Sequence, residues 1–243
     1  MRALILADIH SNLEALEAVL DAARRRGGFQ AIWCLGDLVG YGPDPGACLE
    51  LLRQYPLLAV AGNHDHAAIG RIDPENFNWA AAAAARWTAG RITPDEALFL
   101  GGLPLIATAG LFTLVHGSLR APVWEYVLSP EAARVTLALL ETRYCLVGHS
   151  HIPFICLENP EGPHFGEFVE DQIIELREQR WIINPGGVGQ PRDRDPRPSY
   201  AIYDDERGTI ERRRVVYDIG VTQEKMRRAG LPQPLIDRLD HGV

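Results

Sequence analysis

The sequence predicts an α/β fold, and three observations carry that prediction. Short apolar runs alternate with helical patterns through the first half, the rhythm of parallel strands joined by helices. Five of these runs end in residues that ligate metals or move protons: Asp8-Ile9-His10, Gly36-Asp37, Gly62-Asn63-His64-Asp65, His116-Gly117 and Gly148-His149-Ser150-His151. The third is size. At 243 residues and 47% hydrophobic, the chain can bury one sizeable core as a single domain, residues 1–243. A parallel or mixed sheet brings its strand ends to one edge, so the five motifs should converge there.

Taken in order, residues 3–6 form the first strand. Leu13, Leu16, Val19, Leu20 and Ala23 then repeat at helical spacing, capped by Ser11 or Asn12 and stopped by Gly27-Gly28. A strand at 31–35, a helix at about 46–54 and a strand at 57–61 follow. The middle is helical. Residues 78–87 hold six consecutive alanines, Ala80 to Ala85, a strong helix former with a small-residue face. Thr93 caps a short helix over 94–100. Strands dominate after Leu105, at 111–115, 144–148 and 154–158, with a helix at 130–141. Residues 199–203 and 209–217 flank Asp204-Asp205-Glu206-Arg207-Gly208 and read as a hairpin. The polar stretch at about 158–181 is expected to be an insertion or flap. The tail after Val221 reads as a helix interrupted by proline near 231–234.

Charge and cysteine usage narrow the function. There are 24 Lys and Arg against 32 Asp and Glu, a formal charge of -8. Nonspecific nucleic-acid binding needs a basic face, and the one dense basic run, Arg24-Arg25-Arg26, ends a helix where cations suit the dipole. Cys34, Cys48, Cys145 and Cys156 lie in apolar or helical patterns without a CxxC spacing, so they read as buried free thiols of a reducing cytoplasm. No basic stretch followed by an apolar run opens the chain, and no apolar run approaches ~18 residues, so neither a signal peptide nor a membrane span is expected.

Each motif alone has an ordinary reading. Asp8 and His10 alternate along one strand face, and so could share a metal, but could equally be a cap and a surface histidine. Gly36-Asp37 could be a turn and a cap. Gly62-Asn63-His64-Asp65 could be a polar turn. A lone His116 would more often be structural. The joint pattern is different. His10, His64, His116, His149 and His151 all follow strands, and with Asp8, Asp37 and Asn63 they are too many for one four-coordinate site. They suit two metals that share a bridge.

In this order and between these strands, the motifs resemble the calcineurin-like metallophosphoesterase superfamily over about residues 1–217. Asp8-Ile9-His10-Ser11-Asn12 and the run Asn184-Pro185-Gly186-Gly187-Val188-Gly189-Gln190-Pro191-Arg192 resemble its small bacterial and archaeal phosphodiesterase branch. That branch usually has Ser where Gly187 stands and often Thr where Ser150 stands, and neither position is a ligand. The resemblance implies two stacked mixed sheets flanked by helices, with the site at the sheet edge. It implies a first divalent ion on Asp8, His10, Asp37 and His151, and a second on Asp37, Asn63, His116 and His149. His64 would be the catalytic histidine over the substrate, with Asp65 pairing to orient it and raise its pKa. Asn12, Tyr41 and Arg192 are candidate substrate contacts. Their plain readings are a helix cap, a packed aromatic and a solvated arginine.

The implied activity is hydrolysis of a small phosphate ester by a hydroxide held between the ions. Manganese heads the expected metals, with Fe, Zn, Co or Ni also suited to a mixed N/O set. Few cations stand near the motifs by sequence, which favours a monoanionic diester over a dianionic monoester. A dinucleoside polyphosphate hydrolase shares these motifs but would need a basic groove. A non-catalytic scaffold, as the retromer subunit of this fold resembles, would lack part of the set, and here every position is present. The oligomeric state is left open.

Overall fold

The computed structural model describes residues 1–243 and contains two six-stranded mixed sheets. The first runs β3-β2-β1-β11-β12-β9: β1 (Arg2–Leu6), β2 (Ala31–Cys34), β3 (Leu57–Ala59), β9 (Ile173–Glu175), β11 (Ser199–Asp204) and β12 (Thr209–Arg214). The second runs β4-β5-β6-β10-β7-β8: β4 (Ile106–Ala109), β5 (Phe112–Val115), β6 (Tyr144–Leu146), β7 (Phe154–Asn159), β8 (Gly162–Glu167) and β10 (Trp181–Asn184). β1, β2 and β3 are parallel, as are β5, β6 and β10, and the outer strands are antiparallel.

Side-chain alternation builds the layers. Ala3, Ile5 and Ala7 face inward and join Trp33, Leu35, Phe112, Leu114, Leu146 and Ile183 in a core between the sheets. Leu4 and Leu6 face the other way, onto α1 (Leu13–Arg25) and α2 (Pro45–Leu52) through Leu16, Leu20 and Leu49. Both faces are thus covered, which is why these strands read as continuous apolar runs rather than alternating ones. α6 (Pro130–Leu139) covers the second sheet with Ala133 and Leu137 against Val115, Cys145 and Ile182.

Asn12, not Ser11, caps α1: its side-chain oxygen accepts from Ala15 N–H at 3.1 Å. Thr93 and Glu96 cap α5 (Pro94–Gly102) reciprocally. The alanine run lies in α4 (Trp79–Ala89), where five of the six are buried. α4 packs on the chain's tail, α7 (Ile219–Arg228) and α8 (Gln233–Asp237), through Met226, Leu235 and Leu239. All four cysteines are buried free thiols. No helix is long and apolar enough to cross a membrane.

The structure corrects several expectations. Residues 158–181 are not a flap. β7 and β8 form a hairpin at one edge of the second sheet, and β9 pairs with β12 at an edge of the first. Edge strands face solvent, so their polar sequence hid them, while Phe168 and Ile174 are buried inside. β4 and β10 were also missed. Gly62-Asn63-His64-Asp65 is not an isolated turn but the start of α3 (Asn63–Ala68).

The burial of β9 is testable. Ile174→Ala should lower stability by about 2–4 kcal/mol, read as a shift of the denaturant midpoint at unchanged slope. A change near zero would return this segment to the status of a flap.

Candidate metal centre

The five motifs lie where the parallel strands end, and the backbone there is strained. Asp8, His10, Asp37, His149 and His151 all have left-handed backbones, with φ from 49° to 66°. Each such residue costs of order 1–3 kcal/mol and persists only where its surroundings hold it. Main-chain bonds do the holding: Asp8 N–H donates to Gly36 O at 3.1 Å and His10 N–H to Asp37 O at 3.0 Å. The Asp8 carboxylate accepts from His149 N–H at 3.1 Å, and Asp37 Oδ1 accepts from His64 N–H at 2.9 Å. Gly62 is required because a Cβ there would overlap the Asp37 carboxylate.

Two groups of donors result. Asp8, His10, Asp37 and His151 place ligand atoms within 4.8 Å of one another, and so do Asp37, His116 and His149. Asp37 belongs to both. Its Oδ2 stands 3.5 Å from His10 Nε2 and 3.3 Å from His116 Nε2. His10 Nε2 faces His151 Nε2 at 3.1 Å, and His116 Nε2 faces His149 Nδ1 at 3.0 Å. Asn63 Oδ1 joins the second group, 3.1 Å from His116 Nε2. Donors around one ion at ~2.1 Å stand about 3.0–3.4 Å apart, the spacing seen here. Asp8 Oδ2 is buried with no hydrogen-bond partner, an uncompensated site that a cation would satisfy. The residues present therefore fit two divalent ions.

The far nitrogen of each ring sets which nitrogen is free. His10 Nδ1 lies 3.2 Å from Val39 O, His116 Nδ1 2.8 Å from Leu35 O, and His151 Nδ1 2.6 Å from Gln190 O. Donating there leaves Nε2 as the ligand. His149 is reversed: Nε2 donates to Trp124 O at 3.2 Å, leaving Nδ1.

Electrostatics favour cations as well. Burial raises the Asp8 carboxyl to about 7, with the Asp37 charge adding and His116 opposing. Burial opposes charge on His116, but the charge and hydrogen bond of Asp37, the Asp8 charge and the Leu35 carbonyl together push the imidazole up to about 9. Burial pulls His149 down to about 3, and His10 and His151 well below their usual value. One imidazolium therefore serves Asp37, and an ion bound there would have to displace its proton.

His64 is held by packing rather than by Asp65. Its ring stacks on Phe77 at 4.7 Å and meets Tyr41 at 4.3 Å. Its Nδ1 is buried and unpartnered, which leaves Nε2 for the cavity. Asp65 does not pair with it. Both Asp65 oxygens accept main-chain N–H groups, from Val39 at 3.1 Å and Gly62 at 2.9 Å, so it shapes the backbone behind the site. Accordingly His64 is not raised. Burial lowers it to about 4.

A cavity of about 300 Å³ opens over the two groups. Tyr41, His64 and Arg192 line it, whereas Asn12 does not. The Asn12 amide donates to Gly189 O at 2.9 Å and Tyr217 Oη at 3.1 Å while its oxygen caps α1, so the capping reading accounts for it and the substrate-contact expectation does not hold. Sequence reasoning missed Phe77, Trp124, Tyr126 and Arg238, which complete the wall. None sits in a motif. Gln190, which steadies His151, lies in the run that carries the resemblance, but only Arg192 was drawn from it.

Comparison with known proteins agrees with this fold. The family model for the calcineurin-like phosphoesterase superfamily domain matches residues 1–208. An uncharacterized protein of Methanocaldococcus jannaschii is 40% identical over 97% of this chain and 96% of its own length. A metallophosphoesterase from Sphaerobacter thermophilus superposes with a TM-score of 0.90 at 42% identity, covering 100% of this chain and 99% of that one. A hypothetical protein from Pyrococcus horikoshii shares the fold, with a TM-score of 0.82 at 19% identity, over 100% of this chain and 98% of its own.

Two outcomes follow from the shared carboxylate and the charged imidazole. Asp37→Ala should lose more metal by elemental analysis than Asp8→Ala or His149→Ala, because only Asp37 reaches both groups. A variant that kept two ions would remove its bridging role. Metal binding near pH 7.5 should release about one proton or more per chain, since His116 titrates at about 9 and must deprotonate to ligate. Apparent affinity should therefore rise with pH through that range, as pH-dye titration in weak buffer can read.

Proposed function

This chain belongs to the calcineurin-like phosphoesterase superfamily, and on that footing we propose that it is a two-metal phosphoester hydrolase acting first on phosphodiesters. One observation carries the two-metal reading: a single buried carboxylate, Asp37, belongs to two complete groups of donors. Asp8, His10, Asp37 and His151 would hold one ion, and Asp37, Asn63, His116 and His149 the other. The mixed N/O donors favour manganese, with Fe, Zn, Co or Ni also suited. Bound ions would supply Lewis acidity, lowering the pKa of water and offsetting phosphoryl charge.

The chain's own residues do the rest. Arg192 lines the cavity and offers a guanidinium to a phosphoryl oxygen. His64 presents Nε2 to the leaving oxygen, neutral until an anionic substrate raises its pKa. The aromatic wall of Phe77, Trp124 and Tyr126 gives the organic substituents of a diester an apolar surface. This wall supports the diester reading, since the scarcity of cations expected from sequence does not hold: Arg238 joins Arg192 in the cavity. The same pair favours a second reading, a dinucleoside polyphosphate hydrolase. A scaffold role would leave the complete donor set without a use. With a charge of -8 and buried free thiols, the setting we propose is cytoplasmic, with a small phosphate ester as partner rather than a membrane or nucleic acid.

Side-by-side turnover of a bis-aryl phosphate, the matching aryl phosphate and a dinucleoside tetraphosphate under manganese decides among these. The diester should show the highest kcat/KM. A tetraphosphate faster by ~10²-fold would replace the diesterase reading with its rival. His64→Ala should lower turnover by roughly 10²-fold or more while metal content stays near that of the wild type. Loss of metal with activity would make His64 a ligand instead.

A further inference from the structure

Each candidate ligand imidazole is turned by a main-chain carbonyl, and three of the four carbonyls belong to backbone that is itself tied down. Leu35, behind His116, donates its N–H to Leu6 O at 2.8 Å. Val39, behind His10, donates to Asp65 Oδ1 at 3.1 Å, and Trp124, behind His149, to Ala121 O at 3.2 Å. Gln190, behind His151, is the exception. Its carbonyl accepts from Nδ1 at 2.6 Å, the shortest contact of the four, yet its N–H finds no main-chain acceptor, and residues 185–198 form neither helix nor strand.

This loop is stitched to the fold on both sides of Gln190. Before it, Val188 and Gly189 donate to Ala7 O and Asp8 O, each at 2.9 Å, so the end of β1 holds that side. After it, the tail takes over. Arg194 N–H donates to Gly242 O at 2.8 Å, and Gly242, with φ of 62°, lies so close that a Cβ would overlap the Asp195 main chain. At Gln190 itself the link is the side chain. Its Oε1 accepts from Arg192 Nη2, in the same loop, and from Arg238 Nη1, 48 residues on, each at 3.0 Å.

Arg238 opens a single 3-10 turn, Arg238–Asp240, beyond residue 208, where the family match ends. Its Nε donates to Val243 O, so two of its nitrogens are engaged within the protein. The turn is anchored without help from the loop. Met226, Leu235 and Leu239 are buried against α4. Gln223 Nε2 donates to Ile236 O at 3.0 Å and to Asp240 Oδ2 at 2.7 Å, and Lys225 pairs with Glu14 and Asp44. The two groups of donors are thus supported differently. The carbonyls behind His116 and His149 come from the end of β2 and the loop after β5, and neither is bonded to the tail. His151 leans on a loop that the tail grips.

We infer that the tail is a positioning strap for the first ion alone: Arg238, through Gln190 Oε1, fixes the carbonyl that turns His151 Nε2 toward that ion. This rests on the two-metal reading and adds to it that residues outside the family match set the affinity of one ion of the pair. Gln190 is 2% exposed, and removing Arg238 would leave its buried amide oxygen one donor short. Its remaining partner, Arg192, belongs to the same loop and moves with it. Groups that hold a ligating histidine in place are commonly worth roughly 10–100-fold in metal affinity. The second ion, on His116 and His149, has no such link and should not respond.

Calorimetric titration of the metal-free protein with manganese reads each ion separately in two backgrounds. His149→Ala leaves the first ion to be measured, and His151→Ala the second. Arg238→Met keeps an apolar stem and removes the donor. In the His149→Ala background it should weaken manganese binding by roughly 10-fold or more, and in the His151→Ala background it should leave binding unchanged. Arg238→Lys should restore part of the loss. Gln190→Leu should cost at least as much, and adding Arg238→Met to it should cost nothing further, because both act through one bond. Equal losses in the two backgrounds would mark Arg238 as a general prop and overturn the strap. So would no loss in either, or losses that add. Turnover is not read, so these outcomes stand apart from the fate of the hydrolase reading. A wild type that takes up no manganese overturns the metal reading and the strap together, whereas two ions bound with both spared by Arg238→Met overturns the strap alone.

Discussion

One carboxylate has to serve two groups of donors, and the centre is arranged around that demand. Asp37 Oδ1 is taken by the His64 N–H, which leaves Oδ2 facing both His10 and His116. That arrangement needs the end of β2 to stand between the ends of β1 and β3, and close to the loop after β5. Parallel order in the first sheet supplies the former, and face-to-face packing of the two sheets supplies the latter. The apolar core between the sheets is therefore also the device that sets the spacing of the candidate metal ligands. A shift in that packing would separate His116 and His149 from Asp37 before it unfolded anything.

The ligands pay for their position in backbone strain. Five of them hold left-handed conformations that side chains other than glycine seldom adopt. The compensation is local: main-chain bonds between neighbouring strand-end loops, and a carbonyl behind every ligating imidazole. Asp65 belongs to this layer. It contributes by fixing the Val39 and Gly62 N–H groups, and the two loops it joins carry Asp37 and Asn63. The donor groups are thus already formed without an ion, so an ion bound there would displace protons rather than reorganise the chain.

The candidate metal ligands were legible in the sequence because each sits at a fixed offset from a strand that is apolar on both faces. Period and motif coincide there. The edge strands were not legible, since β8 and β9 are half solvated and carry too few apolar side chains to mark a face. The role of Asp65 was misread for a related reason. Adjacency to His64 in sequence suggested a pair, but at the first turn of α3 the two side chains point apart and the carboxylate turns back to cap the helix. Asn12 shows the converse. It was named as a candidate substrate contact, yet a cap must turn toward its own helix.

The cavity wall lay beyond sequence reasoning altogether, and the reason is a division of labour. Residues that bind ions must meet tight distance limits, so they gather in motifs on strand ends. Residues that read the rest of the substrate need only reach the opening. They come from wherever the chain passes over it: Phe77 from before α4, Trp124 and Tyr126 from the loop after β5, Arg238 from the tail. The tail reaches the site because Met226, Leu235 and Leu239 bury against α4 and Tyr41. Its apolar face, which read only as a proline-broken helix, is what delivers a guanidinium to the cavity. On the function proposed above, the chemistry would be carried by the sheet edge, and the selection of substrate by segments whose own sequences show only packing.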